Sequence, residues 1–168
     1  MTKIFYMIIS GAVFFSCGEQ KHQKDNETTE KGNISTTIST DTSKLAKLID
    51  IHKYKPTQVK FKYTFIDNSG KNERLPVPGP SDSYLEAILY FDTATFKDLK
   101  TKYFSADHLS TSFDKENFNF EWLDNDIKTA LLKSDTSYHG LPDYFFGSGP
   151  HGKLWLLDNK LLLTKSTD

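Results

Sequence analysis

Nineteen aromatic side chains crowd between Tyr54 and Trp155, and between Cys17 and Lys53 there is none. Aromatic rings carry large apolar areas and dominate cores, so the core has to be built from the second part of the chain. Residues 18–43 read GEQKHQKDNETTEKGNISTTISTDTS, with Ile34 and Ile38 as the only large apolar residues. Sequence this polar buries too little surface to offset the entropy of ordering it. It is expected to be a disordered tether with a root-mean-square reach of about 28 Å as a random coil. Composition shifts near Leu45, so residues 44–168 are expected to form one globular domain of common size.

The chain opens Met1-Thr2-Lys3, runs apolar from Ile4 to Phe15, and reaches Ser16-Cys17-Gly18. A basic start, a short apolar run and a small residue are the layout of a secretory signal, expected over residues 1–16. As a helix the run spans about 18 Å. The hydrocarbon core is about 30 Å thick, so a membrane-spanning helix is not expected. Cys17 is the single cysteine of the chain, which leaves no disulfide framework and no multi-cysteine zinc site.

Val13-Phe14-Phe15-Ser16-Cys17 resembles the lipobox of bacterial lipoprotein precursors, although Phe14 and Phe15 stand where that family prefers leucine and a small residue. The resemblance implies that the Cys17 thiol is lipidated, that the peptide is cut before it, and that Cys17 becomes the first residue. Loss of Lys3 with the signal takes the formal net charge from −1 to −2. Two acyl chains, at about 0.8 kcal/mol per buried methylene, suffice for stable anchoring. The implied partner is therefore the membrane. The implied location is the cell envelope, lipid-anchored at the periplasmic face or the cell surface. The cluster Gln23-Lys24-Asp25-Asn26-Glu27 is somewhat similar to charged signals that send some lipoproteins to the cell exterior. The resemblance covers about twenty residues and implies nothing about the fold of the domain.

Within the domain, Val59, Phe61, Tyr63 and Phe65 alternate with Lys60, Lys62 and Thr64, the pattern of a half-buried strand with a wet face. Asn68-Ser69-Gly70 marks a turn, and the three prolines of 75–80 exclude helix and central strand there. Tyr84 to Phe91 has apolar residues on both faces and predicts a central strand carrying one charge, Glu86. Asp92 predicts a helix cap, with Phe96, Leu99, Tyr103 and Phe104 on one helical face. Phe118, Phe120 and Trp122 alternate with Asn119 and Glu121 and predict a strand. Asp124 or Asn125 should cap a short helix that turns Ile127, Ala130 and Leu131 inward. Lys153–Leu157, Asp158-Asn159 and Lys160–Thr164 predict a C-terminal hairpin with Trp155 opposite Leu162. Strands and helices without repeated βαβ units make the fold class α+β: a small antiparallel sheet with one or two packed helices.

Motifs for chemistry are sparse. Residues 147–153 satisfy GxxxxGK, but Leu154 replaces the Ser or Thr that holds magnesium, and an alternating strand follows where a phosphate-binding helix is needed. No nucleotide partner is expected. Ser148 lies in Gly-Ser-Gly without the elbow of a serine hydrolase, and no spacing picks a triad from His108, His139, His151, Asp107 and Asp143. His139, Asp143 and His151 match no compact metal motif, so neither metal nor cofactor is expected. Glu86 is the acid to inspect first. Lysines and rings of residues 53–63 fall on opposite faces of a strand, and the net charge is close to zero, so no nucleic-acid partner is expected. The 19 residues 134–152 form a long loop of a kind that is often functional. Its Tyr138, His139, Asp143, Tyr144 and His151 are the candidate binding residues; the competing reading has Tyr144–Phe146 covering an open edge of the core.

The expected function is a membrane-anchored envelope lipoprotein with a non-catalytic binding or accessory domain, in the manner of an inhibitor or immunity protein. Its partner would be an envelope protein, a glycan or a toxin. The alternative is a small envelope hydrolase using residues of the 134–152 loop.

Overall fold

A computed structural model describes residues 26–69, 81–105, 114–134, 143–147 and 152–167. Among the described residues six strands form one antiparallel sheet in the order β1-β2-β3-β4-β6-β5. They are β1 (Asn26–Lys31), β2 (Ile34–Ser39), β3 (Gln58–Ile66), β4 (Asp82–Tyr90), β5 (Gly152–Leu157) and β6 (Lys160–Ser166). The described residues also form the helices α1 (Thr42–Leu45), α2 (Thr93–Phe104), α3 (Asn125–Lys133) and α4 (Asp143–Phe146). The fold is α+β and closes with the expected C-terminal hairpin, in which Trp155 stands opposite Leu162. Asn159 takes the positive φ of 52° in its tight turn, a conformation asparagine tolerates.

Alternation along the strands divides the core in two. Phe61, Leu85, Ala87, Leu154 and Leu163 turn to one face, where they pack with Leu45, Leu99, Tyr103 and Phe146. Ile88, Trp155 and Leu162 turn to the other, where Phe118, Phe120, Ile127 and Leu131 cover them. β4 carries apolar residues on both sides because it lies between β3 and β6 with both faces covered.

Residues 26–39 correct the expectation of a tether over 18–43. They form a hairpin that pairs through β2 with β3 in continuous register, from Ile34 opposite Ile66 to Ser39 opposite Phe61. Apolar content misjudges this segment because its strands are held by backbone ladders and β-branched residues rather than by burial. Gly32, at φ 63°, makes the turn. Ser39, fully buried, donates its hydroxyl to Asn26 Oδ1 at 2.6 Å and accepts from the Asp41 amide at 3.1 Å. Those bonds pin the start of β1 to the end of β2.

Three smaller expectations also change. Phe118, Phe120 and Trp122 alternate in burial but pair with no strand; a 3₁₀ turn at Lys115–Phe118 is followed by a turn closed by the Leu123 amide on the Phe120 carbonyl. The period of two here reports a segment lying over a sheet face. Phe104, at the end of α2, is 48% exposed, so only Phe96, Leu99 and Tyr103 face the core. Ala130 is exposed, leaving Ile127 and Leu131 as the inward residues of α3. The caps agree with the sequence: Asp92 accepts from the Thr95 amide at 2.9 Å, and Asp124 occupies the N-cap of α3.

Tyr103 is buried, and its hydroxyl has no partner among the described residues. Burial pushes its ionisation above the ordinary phenol value of 10.0. The folded chain therefore keeps a proton that the unfolded chain loses, so this contribution is present below pH 10 and is lost as pH rises above it. Tyr103→Phe is expected to stabilise the protein by about 1 kcal/mol and to flatten the alkaline fall, which for one proton reaches about 1.4 kcal/mol per pH unit. Urea unfolding of both proteins between pH 8 and 11 measures this, and parallel pH curves would refute it.

Candidate functional site

A cleft of about 480 Å³ lies between α2, α3 and the turn of the C-terminal hairpin. Phe96 of α2, Ile127 of α3 and Leu156 and Leu157 of β5 give it apolar walls. Its charged lining comes from three separate elements: Lys100 on α2, Asp126 and Lys133 on α3, and Asp158 and Lys160 at the hairpin turn. The cleft thus carries three ammonium groups against two carboxylates. Lys160 Nζ is 3.4 Å from the Asp158 carbonyl and 5.9 Å from the centre of the Tyr90 ring. Burial raises the Tyr90 ionisation, and the charges of Asp124 and Asp126 raise it further. Lys100 lies 5.9 Å from the centre of the Phe104 ring. No sequence motif marks this cleft, because its charges lie in separate elements and adjoin only after folding.

The segment that covers the second sheet face has an anchor of its own. Trp122 donates its indole N–H to Glu86 Oε2 at 2.6 Å and stacks on Phe120 at 5.4 Å. Lys60 Nζ sits 5.8 Å from the centre of the Trp122 ring and 3.9 Å from Asp124 Oδ1. The wet face expected of β3 is therefore partly roofed: the Lys60 side chain is 17% exposed. Glu86 also stands opposite Lys62 in the sheet register. Its place is structural, as the acceptor that fixes Trp122. Trp122→Phe removes the donor while keeping an aromatic ring, and should cost about 1.5–3 kcal/mol, the worth of a hydrogen bond to a charged group. Thermal unfolding measures it, and an unchanged midpoint would show that the bond carries no stability.

Of the sequence-derived candidates, Tyr138, His139 and His151 lie outside the described residues, as do Cys17, His108, Asp107, Ser148 and residues 70–80. Asp143 and Tyr144 begin α4. The two residues after them are core: Phe146 is fully buried and Phe145 nearly so, with ring centres 6.4 and 5.9 Å from that of Tyr54. The Phe146 carbonyl accepts from the Asp50 amide at 2.7 Å. Gly152 and Lys153 of the GxxxxGK pattern open β5, as the alternation predicts.

Among the described residues no group of three or more His, Cys, Asp or Glu is placed to hold a metal ion. Three exposed carboxyls, Asp50, Asp67 and Asp92, are held below the ordinary carboxylate value, each by hydrogen bonds inside its own turn. The His52 amide lowers Asp50, the Ser69 side chain lowers Asp67, and the Thr95 side chain lowers Asp92. His52 Nδ1 lies 2.8 Å from Asp50 Oδ1, in an exposed pair two residues apart. Among the described residues no helix is long and apolar enough to cross a membrane. Comparison of the chain with protein-family models, with curated proteins and with solved structures gives no match.

Proposed function

We propose that this chain is a membrane-anchored envelope lipoprotein whose domain is a non-catalytic binding or accessory module of inhibitor or immunity type. The observation that carries the anchor is the placement of the single cysteine, Cys17, directly after the apolar run of residues 4–15. Cys17→Ser should abolish incorporation of labelled palmitate, and undiminished labelling would refute the anchor.

The binding reading rests on the cleft. An apolar lining edged by Lys100, Lys133 and Lys160 against Asp126 and Asp158, one positive charge in excess, suits a partly apolar segment of mixed, mainly acidic charge on a protein partner in the envelope, such as a toxin. Asp50, Asp67 and Asp92 are each held below the ordinary carboxylate value by hydrogen bonds in their own turns, the wrong direction for a general acid. A photo-crosslinking residue at Ala130, on the wall of this cleft, should capture a partner in intact cells. The adduct should be lost with Lys133→Glu or Lys160→Glu. Capture equal to that from Leu132, which is 61% exposed and does not line the cleft, would refute the cleft as the binding surface. The hydrolase alternative would use His139, Asp143 or His151, of which His139 and His151 lie outside the described residues.

A further inference from the structure

We propose that a second copy of this chain pairs antiparallel along β1, joining two six-stranded sheets into one of twelve. Among the described residues β1 is the edge of the sheet, and all six of its residues are exposed. Such an edge is a template for another strand. Lys31 and Ile34 flank the two-residue turn and exchange backbone bonds with each other. Alternation then turns the amides and carbonyls of Glu27, Thr29 and Lys31 toward β2, and those of Asn26, Thr28 and Glu30 away from it. The Asp67 amide donates to the Asn33 carbonyl at 2.8 Å, which sets the odd-numbered residues of β2 against β3 and fits this parity. The edge has no proline, and its register with β2 runs without a bulge.

Charge selects the register. With a two-fold axis, centring on Glu27 or Glu30 opposes that glutamate with its own copy, and centring on Thr28 leaves Glu27 against Thr29. Centring on Thr29 sets Glu27 opposite Lys31 of the second copy, twice over, and lets Thr28 and Glu30 exchange the outward backbone bonds. Opposite charges on facing residues favour a pair, and like charges oppose it. In that register Thr29 faces its own copy as a non-hydrogen-bonded pair, with Cα atoms about 4.5 Å apart, within disulfide range. Thr28 faces Glu30 instead.

Cysteine crosslinking of the full chain in detergent lysates of whole cells tests the pairing, with the unmodified chain, whose single cysteine is Cys17, as the baseline. Thr29→Cys should give a disulfide-linked dimer under mild oxidation, and Thr28→Cys at least about ten-fold less. Adding Glu27→Lys to Thr29→Cys should lower the yield by placing lysine against lysine, and adding Lys31→Glu as well should restore it. No dimer at position 29, equal yields at 28 and 29, or failure of the double exchange to restore would each overturn the proposal. The pairing does not depend on a lipid at Cys17, so it and the anchor fail separately.

Discussion

Replacing Trp155 by alanine is expected to cost roughly 3–5 kcal/mol, the usual range for deleting a large buried aromatic side chain. Trp155 is 1% exposed, faces Leu162 across the hairpin and packs on Phe118 with ring centres 5.6 Å apart. Its indole N–H donates to Ser134 Oγ at 3.2 Å, tying the end of α3 to β5. The substitution removes the centre of the second core and the indole bond to Ser134, whose hydroxyl keeps its bond to the Leu131 carbonyl. Domains of this kind are stable by only about 5–15 kcal/mol, so the variant should unfold at a much lower urea concentration. Trp122, the other tryptophan, remains as a fluorescence probe. A loss below about 1 kcal/mol would mean that the second face is not a true core.

The second large effect is expected on the opposite face. Phe146→Ala should also cost about 3–5 kcal/mol, because its ring is fully buried beside Tyr54 and Phe145. Phe146 and Trp155 belong to different clusters, so the two losses should be independent. The measurement also separates the two readings of the 143–146 stretch. A core residue gives a large loss of stability, whereas a recognition residue gives near-wild-type stability with weakened partner binding.

Legibility in the sequence followed the origin of each element's order. The C-terminal hairpin, β4 and α2 were readable because burial period and turn or cap residues agreed in one short window. The β1–β2 hairpin was not, since Thr36 and Thr37 of β2 are ordered by pairing with β3, some twenty-five residues on, and Thr28 and Thr29 of β1 by pairing with β2 in turn. Its one local signal was Gly32-Asn33 between β-branched runs, which apolar counting ignores. The 118–122 segment failed differently: the correct period of two came from lying over a sheet face rather than from a ladder. Glu86 was legible as an unusual charge within an apolar strand, but its partner Trp122 is 36 residues away. The cleft was illegible for the same reason, being assembled from α2, α3 and the hairpin turn.

The early start of β1 also sets the length of leash. Only residues 18–25 separate Cys17 from Asn26. Fully stretched, that interval spans about 30 Å, against roughly 90 Å for a tether of residues 18–43. A compact domain of this size has a radius of gyration of about 14 Å. Under the proposed anchoring, the domain stays within about one of its own diameters of the lipid surface. It would then search a thin layer rather than a volume, and a dissolved partner would have to come to that layer to meet it.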